Sequence, residues 1–396
     1  MLTSNESWRE DISLLNKEEI ERRVEAQVSA IQKEFIASNK DTVSDLKETL
    51  ELFNNHLRRL DAHYDFELWH QTEISFEQMW PELFKSLNLA IEYGLYELVR
   101  SIFLEIRHLL ETTGHTKERI YLATWIKNEA EQNQDIAGKN IALSSLVWSY
   151  TSAGKHQDLE KAYEAWQALS SFRRSLGNPF KFNSYRKSLL KEIGQALYTE
   201  ILMDVYEGGV RLAVRQRKFN EASKYTSQAR DEISILAQRD FLSERLKERL
   251  DIAYTYHEGV AYYLTEQHQK AHEKFNDVIQ RGEYISWTRS IRGAKSWLAT
   301  LAIERKDYDE CERILKEISE EHPELLRKRD GMCHLIKAQL LSEKGRQTEK
   351  IKYEQMANLA FSRFTEDNSE QTLSDNTPVS LALLCRAFSL SPCLAG

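Results

Sequence analysis

The fold is decided by residues 251–323, which read DIAYTYHEGVAYYLTEQHQKAHEKFNDVIQRGEYISWTRSIRGAKSWLATLAIERKDYDECERILKEISEEHP. Gly259 and Ala271 place small side chains on two helical segments that the polar turn Thr265–Gln269 separates. Antiparallel helices approach to about 8–10 Å only where their crossing points carry small side chains. Phe275 then fills the groove one turn away. The stretch therefore predicts a closely packed helical hairpin.

A second hairpin follows about forty residues later. Ala299 and Cys311 occupy its small positions, Leu315 occupies the bulky one, and Pro323 stops the second helix after the turn Arg305–Asp309. This spacing resembles the tetratricopeptide repeat, a family of stacked helix-turn-helix units about 34 residues long. The resemblance implies an all-α fold in which antiparallel hairpins stack into a right-handed α-solenoid over residues 81–365.

Weaker copies extend the array in both directions. Predicted small positions lie 39 to 64 residues apart, so we expect helices longer than the family standard or intervening hairpins. The last unit departs from the pattern, because Lys350 and Glu354 stand where small and bulky apolar residues are expected. The successive small positions are Leu98, Ala162, Ala222, Ala271, Cys311 and Lys350.

The composition agrees with a large helical protein. The 396 residues exceed the size of one compact core. With 14 Gly and 5 Pro the chain has too few turn residues for a large β protein, whereas 29% charged residues favour long amphipathic helices. The net charge of −8 argues against a nucleic-acid binder that relies on overall basicity, although a local basic patch stays compatible with it.

The location is expected to be the cytoplasm, with no membrane partner. No run approaches the roughly 18 apolar residues that a spanning helix needs, and no early segment has the pattern of a signal peptide. The four cysteines lack CxxC spacing, which favours a reducing compartment.

Residues 1–80 predict an N-terminal helical pair, and residues 366–396 predict a flexible linker with a short apolar segment. The pair is expected either to pack on the repeats or to form a homo-oligomer with a second copy. The segment Leu381–Phe388 is expected to cap the last repeat, and docking on a partner or a free end stay open as alternatives. An apolar stripe marks the first helix of the pair at Ile20, Val24, Val28, Ile31 and Phe35. A heptad seam marks the second at Leu46, Leu50, Phe53, Leu57, Leu60 and Tyr64.

Three histidines, His56, His63 and His70, recur every seven residues and would share one helix face. Since each is next to a seam residue, we interpret them as the polar flank of a packing stripe. Two alternatives stay open. Protonation near pH 6.5 could weaken an interface, or His63 and His70 could bind a metal together with Glu67.

The segment from Phe172 to Lys191 is the candidate partner-binding site. It has no Asp or Glu, interleaves basic and aromatic residues, and breaks at Gly177-Asn178-Pro179. Such a mixture suits an acidic peptide or a phosphate backbone, and the alternative is that the aromatic rings fill a long loop between repeats. The candidate residues are Arg173, Arg174, Phe180, Lys181, Phe182, Tyr185, Arg186, Lys187, Lys191 and Arg215. Further basic residues expected on the same concave face are Arg211, Arg217, Lys218, Arg289, Arg292 and Lys295.

No pattern supports catalysis, a cofactor or a metal. His257-Glu258 lacks the second histidine of a zinc protease motif, and His268 and His272 lack a third ligand. The sequence therefore predicts a non-catalytic interaction scaffold that binds a protein or peptide partner.

Two other functional hypotheses remain open. The stretch from Arg119 to Gly154, with Trp125, Ala130 and Asp135, resembles the repeats of sensor arms in bacterial signalling NTPases. That resemblance, and one to the bacterial Rap regulators, implies a sensor whose N-terminal helices are the output module. Nucleic-acid binding is less favoured, and it would weaken steeply with salt.

Overall fold

The chain is helical wherever its structure is described. The computed structural model describes residues 43–61, 69–153, 156–177, 184–239, 241–319 and 328–362. These ranges form fifteen helices and no strand, which confirms the all-α prediction. In chain order the helices are α1 (Val43–Asp61), α2 (Trp69–Glu92), α3 (Tyr96–Thr112), α4 (Thr116–Gln132), α5 (Ile136–Ala153), α6 (His156–Ser175), α7 (Ser184–Ile193), α8 (Gln195–Arg215), α9 (Phe219–Ala237), α10 (Glu244–Leu264), α11 (His268–Tyr284), α12 (Thr288–Glu304), α13 (Tyr308–Ser319), α14 (Lys328–Glu343) and α15 (Gln347–Ser362).

Two compact units divide the chain, Met1–Thr113 and Gly114–Gly396. In the first unit, α1, α2 and α3 each pack against the other two. In the second unit, most consecutive helices from α4 to α15 pack against one another. The boundary predicted between residues 80 and 81 falls inside α2. None of the described helices combines the length and the apolar composition needed to cross a bilayer.

A three-residue turn recurs between the helices. Its middle residue has a left-handed backbone conformation at positions 94, 114 and 134, at 266, 286 and 306, and at 217 and 345. The next N–H group closes the turn on a carbonyl five residues earlier, as in the 2.9 Å bond from Gln267 to Tyr262. This bond is that of a Schellman motif. It gives a hydrogen-bond donor to a carbonyl that would otherwise have none at the end of the helix.

The turn sets the length of the repeat. The helices α3, α4, α11 and α12 each contain 17 residues. A helix of this length and a three-residue turn take about twenty residues, so a hairpin takes about forty rather than 34. The longer helices that the spacing of Ala271, Cys311 and Lys350 predicted are therefore present.

The close approach predicted at Gly259 is confirmed. A Cβ atom there would lie 2.7 Å from Cε1 of Phe275, so α10 and α11 pack this closely only because Gly259 has no side chain. Ala271 and Phe275 are fully buried. The Phe275 ring also stacks on Trp297 of α12 with the ring centroids 5.9 Å apart, which joins the first hairpin to the next.

A glycine pair in α8 makes a further close contact that the repeat pattern did not identify. A Cβ atom at Gly208 would lie 3.2 Å from Cδ1 of Trp166, and one at Gly209 would lie 3.1 Å from Cδ2 of Tyr225. The two rings come from α6 and α9 and meet edge-on with centroids 5.4 Å apart. The indole N–H of Trp166 donates to the carbonyl of Val205 at 2.9 Å. The glycine pair therefore lets helices on both sides pack against α8.

Alternate helices of the second unit also contact one another. The series of contacts is α5 with α8, α8 with α10, α10 with α12, and α12 with α14. The short helix α7 interrupts the alternation, and α8 contacts both α5 and α6 across it. This insertion explains why the small positions Ala162 and Ala222 are farther apart in the sequence than the later ones.

The second predicted hairpin follows the packing pattern, whereas the last one departs from it. Ala299, Cys311 and Leu315 are at most 3% exposed, as expected for the second hairpin. In α15, Lys350 and Glu354 stand where the pattern expects apolar residues. They form an ion pair instead, with Nζ of Lys350 3.6 Å from Oε1 of Glu354. An ion pair along one helix face thus replaces the apolar contact of the pattern.

The part of the predicted seam that the structure describes, Leu46 to Leu57, is buried. Leu46, Leu50, Phe53 and Leu57 are at most 2% exposed. His56 is 3% exposed. The steps of four and three residues therefore mark the packing face, and His56 is packed beside it.

One expectation for this region is wrong. The shared histidine face is not formed, because α1 ends at Asp61 and α2 begins at Trp69, which puts His56 and His70 on different helices. His63, Glu67, the stripe from Ile20 to Phe35 and the segment Leu381–Phe388 lie outside the described residues.

The variant Gly345→Ala tests the recurring turn. Gly345 has a φ of 72°, and nothing lies within 4 Å of the position of its missing Cβ. We expect alanine to lower the free energy of unfolding by about 1 kcal/mol through backbone strain alone. Lys306→Ala is the matched control, because Lys306 already carries a Cβ at a φ of 60°. Denaturant titration of both variants measures the difference, and equal stabilities would contradict the assignment.

The variant Gly259→Ala tests the helix contact. Alanine in a helix interior normally gains about 1 kcal/mol over glycine, but here the methyl group would overlap the ring of Phe275. We expect a net loss of about 1–3 kcal/mol in the free energy of unfolding. Gln228→Ala changes an exposed position of α9 and should stay within about 0.5 kcal/mol of the parent chain. A stabilising Gly259→Ala would show that α10 and α11 do not touch at this point.

Candidate partner-binding surfaces

Two arginines predicted to bind a partner are buried instead. Arg186 is 0% exposed and Arg215 is 4% exposed. The Nη1 atom of Arg186 lies 3.1 Å from Oε1 of Glu232, and its Nε donates to the carbonyl of Leu176 at 3.0 Å. A buried guanidinium group is stable only beside a counter-charge and hydrogen-bond acceptors. Since Glu232 is distant in the sequence, the local basic pattern concealed this pairing.

Glu232 binds a second arginine from the same segment. The Nη2 atom of Arg173 lies 3.2 Å from Oε2 of Glu232. Its Nε donates to the hydroxyl of Tyr206 at 2.7 Å, and its Nη1 donates to the carbonyl of Gly177 at 2.9 Å. One carboxylate of α9 therefore holds both the end of α6 and the helix α7.

The tyrosines of this network stay protonated. Burial raises the pKa of the Tyr206 hydroxyl, and the charge of Glu232 raises it further. Tyr206 thus accepts from Arg173 and donates to Oε2 of Glu232 at 3.4 Å. Burial also raises the pKa of Tyr198. For Arg173, burial acts to lower the pKa, but the hydrogen bond to Tyr206 and the nearby charge of Glu232 together outweigh it, so the pKa lies above its usual value.

The predicted segment also has an exposed part. Tyr185 is 43% exposed. Phe172, by contrast, is buried with its ring edge against Tyr198, as expected if aromatic residues fill the space between helices. The exposed candidates are Arg174, Tyr185, Lys187 and Lys191. The candidates Phe180, Lys181 and Phe182 lie outside the described residues.

The further basic residues do not all line one surface as predicted. Arg292 is 9% exposed and donates to a carbonyl of α13 at 3.3 Å. Lys295 forms an ion pair with Glu317 at 2.8 Å. Arg217 and Lys218 are exposed in the turn between α8 and α9. These basic side chains are buried, ion-paired or exposed at a turn. The exposed basic surface is therefore smaller than the sequence predicts.

A row of polar and aromatic side chains crosses the contacts between α5, α8 and α10. The Ser144 hydroxyl of α5 donates to Oδ2 of Asp204 at 2.6 Å. The Arg211 guanidinium lies 3.8 Å from the centroid of the Trp148 ring, which is a cation–π contact. On the other side of α8, Nε2 of His257 lies 3.2 Å from Oε1 of Glu207. We define the inner row as Trp148, Asp204, Glu207, Arg211 and His257.

Each member of the inner row is partly exposed. The side chains of His257 and Glu207, for example, are 12% and 20% exposed. The inner row was not predicted from the sequence. The spacing of Asp204, Glu207 and Arg211 along one face of α8 was a visible signal, but their partners on α5 and α10 are 50 or more residues away.

A buried tyrosine supports the row from beneath. Tyr254 of α10 is 1% exposed, and its hydroxyl donates to the carbonyl of Met203 in α8 at 3.2 Å. Burial holds its pKa well above the usual value, and the nearby charges of Glu207 and Asp204 add to the effect. The hydroxyl therefore stays protonated and fixes α10 on α8.

The histidines near the next turn have a structural role. The ring of His268 stacks on Tyr263 with centroids 5.6 Å apart, and its Nδ1 lies 3.6 Å from Oε2 of Glu304. Tyr263 donates a hydrogen bond to the other oxygen of Glu304. Within the described ranges, no three His, Cys, Asp or Glu side chains are arranged to hold a metal ion.

Comparisons with known proteins give similar solved structures but no family. No family model matches the chain, and no curated protein matches it. Among solved structures the chain is similar to BtubC (BKLC) from P. vanneervenii, with a TM-score of 0.41 and 13% sequence identity. The match covers 62% of this chain and 91% of that one. A similarity at this level carries no functional information.

The variant Glu232→Gln tests the buried network. It removes the counter-charge of two arginines while keeping the side-chain shape. Because Glu232 and Arg186 are 1% and 0% exposed, we expect the free energy of unfolding to fall by about 3–5 kcal/mol. The exposed neighbour Asp231 gives the control Asp231→Asn, which should change stability by less than about 0.5 kcal/mol.

Hydrogen exchange of the same two variants locates the effect. Amide exchange in α7 should accelerate in Glu232→Gln and stay unchanged in Asp231→Asn, because Arg186 fixes α7 to α9. Equal exchange and equal stability in the two variants would contradict the role assigned to Glu232.

Proposed function

We propose that the second unit is a tetratricopeptide-like α-solenoid that binds a segment of a partner protein and catalyses no reaction. Its hairpins of about forty residues have small side chains at their crossing points. The alternate helices α5, α8, α10, α12 and α14 contact one another in series. In the described part of the chain, α9, α11 and α13 make no comparable contacts among themselves. Closer packing on one side bends an array toward that side, so we assign the α5 to α14 series to the concave face.

The inner row is the observation that carries the binding proposal. It presents two carboxylates, a guanidinium group, an imidazole and an indole ring on three successive helices of one face. These groups are partly exposed and already oriented by contacts between helices. A bound segment would therefore restrict few additional side-chain rotamers, which limits the entropic cost of binding. Trp148 and the alkyl stem of Arg211 add apolar contact area.

The chemistry of the inner row suits recognition. Asp204 accepts from Ser144 and Glu207 faces His257, so each carboxylate also aligns two helices. Two acidic groups, Asp204 and Glu207, precede the basic group of Arg211 along α8. Such a surface matches a partner segment that carries both charges beside an apolar residue, and it discriminates by charge order.

The cytoplasm remains the proposed location. Cys311 and Cys333 are buried. Burial raises the pKa of the Cys311 thiol to about 12, which leaves little thiolate for oxidation. Unreactive packed thiols of this kind fit a reducing compartment.

A regulatory sensor is the second candidate function, and the division at Thr113 and Gly114 favours it. In this proposal, binding to the second unit changes the stability or packing of the first. Hydrogen exchange of the full chain with and without the bound partner distinguishes the two functions. Changed protection in α1, α2 and α3 supports the sensor, whereas changes confined to α5, α8 and α10 support the scaffold.

The double variant Trp148→Ala/Arg211→Ala tests the inner row. It removes the cation–π pair, and we expect proteins captured from the native host by the full chain to be depleted about tenfold or more, because the pair is central to the row. The matched control is Tyr163→Ala/Lys224→Ala, an exposed aromatic and an exposed cation on α6 and α9. Quantitative mass spectrometry of the captured proteins gives the readout, after thermal unfolding has shown that both variants fold. An identical captured set for both variants would remove the inner row as the binding site.

A further inference from the structure

The helix α7 stands apart from the repeat. Between α10, α11 and α12, for example, three-residue turns join helices of 17 residues or more. Between Ser175 and Gln195, however, the chain forms the separate 10-residue helix α7. The stacking continues without it, because α5 and α8 contact each other directly. A segment that the stacking does not require is available for another purpose.

One face of α7 is fixed to the array. Arg186 is fully buried against Glu232 and Leu176, and Leu189 is 2% exposed. These anchors hold α7 in one orientation. The opposite face consequently points outward without depending on a partner to order it, which reduces the entropic cost of any binding there.

The outward face carries two cations that no described residue neutralises. Lys187 and Lys191 are exposed and lie one helical turn apart, about 6 Å along the axis. Neither forms an ion pair within the described part of the chain. In contrast, other lysines are paired, as Lys274 is with Glu258 at 2.7 Å. Glu192 is exposed too, but helical geometry places it on the flank away from Lys187.

Hydroxyl and aromatic groups complete this face. Ser184 and Ser188 are exposed beside the lysines and can donate hydrogen bonds, and Tyr185 is 43% exposed at the edge. The α7 face, defined as Ser184, Tyr185, Lys187, Ser188 and Lys191, therefore combines positive charge, hydroxyl donors and an apolar ring.

We propose that the α7 face binds a carboxylate-rich segment of a partner protein. Carboxylates four residues apart on a helix, or two apart on a strand, are about 6–7 Å apart and match Lys187 and Lys191. Because the whole chain has a net charge of −8, a long polyanion is repelled beyond this face, whereas a short acidic segment is not. This goes beyond the binding assigned to the inner row, and either site can exist without the other.

The test uses the full chain and a fluorescein-labelled 14-residue peptide with Glu pairs at i and i+4 and one Leu. A second peptide has Gln at every Glu position. Fluorescence anisotropy at low salt should give about tenfold tighter binding of the Glu peptide. Lys187→Glu/Lys191→Glu should lose that difference. Lys224→Glu/Lys352→Glu reverses two exposed lysines elsewhere and is the matched control, expected within about twofold of the parent.

Three further measurements identify the site and the ligand. A peptide with Lys at the Glu positions should gain affinity for Lys187→Glu/Lys191→Glu. Trp148→Ala/Arg211→Ala should bind the Glu peptide as the parent does, and a loss there would move the acidic site to the inner row and overturn the proposal. Equal affinity for the Glu and Gln peptides would overturn it. Tighter binding of a 20-nucleotide single-stranded DNA that depends on Lys187 and Lys191 would assign the face to nucleic acid instead.

Discussion

The left-handed residue in each three-residue turn is the constraint on which the array depends. It reverses the chain within a short distance and lets the next N–H group close on the preceding helix. Five of these positions, including Glu266, Ser286 and Lys306, are not glycine. A side chain in this conformation costs on the order of 1 kcal/mol. The array therefore retains the turn even where the local residue opposes it, which shows that packing between helices outweighs turn preference.

Contacts between neighbouring helices were readable from the sequence, and those across long separations were not. Gly259 with Phe275, and the seam from Leu46 to Leu57, follow from helical spacing alone, because the residues that meet are close along the chain. The turn at Ser286 was not predicted, since no glycine marks it, whereas the polar turns that contain Glu266 and Lys306 were. The expected superhelix rests on contacts between hairpins that spacing cannot specify.

The candidate partner-binding segment was predicted only in part, again because contacts between residues distant in the sequence could not be foreseen. A stretch rich in Arg and Lys without Asp or Glu indicates a surface patch only if no distant carboxylate turns toward it. Glu232 does so for Arg173 and Arg186, and this left Lys187 and Lys191 as the exposed remainder. The inner row was not predicted because its members contact one another only when α5, α8 and α10 pack together. The buried Arg186 thus fixes the orientation of α7, and the exposed Lys187 and Lys191 give its outer face a positive charge.

The 17-residue helices also determine how large a ligand one hairpin can accommodate. At 1.5 Å per residue, such a helix is about 25 Å long, roughly 4–5 Å more than each helix of a 34-residue unit allows. An extended peptide lying parallel to the helix axes could place about seven residues along a single hairpin. A ligand that crosses the axes would instead meet a different helix every 8–10 Å. The length of a bound segment would therefore indicate the direction in which it lies.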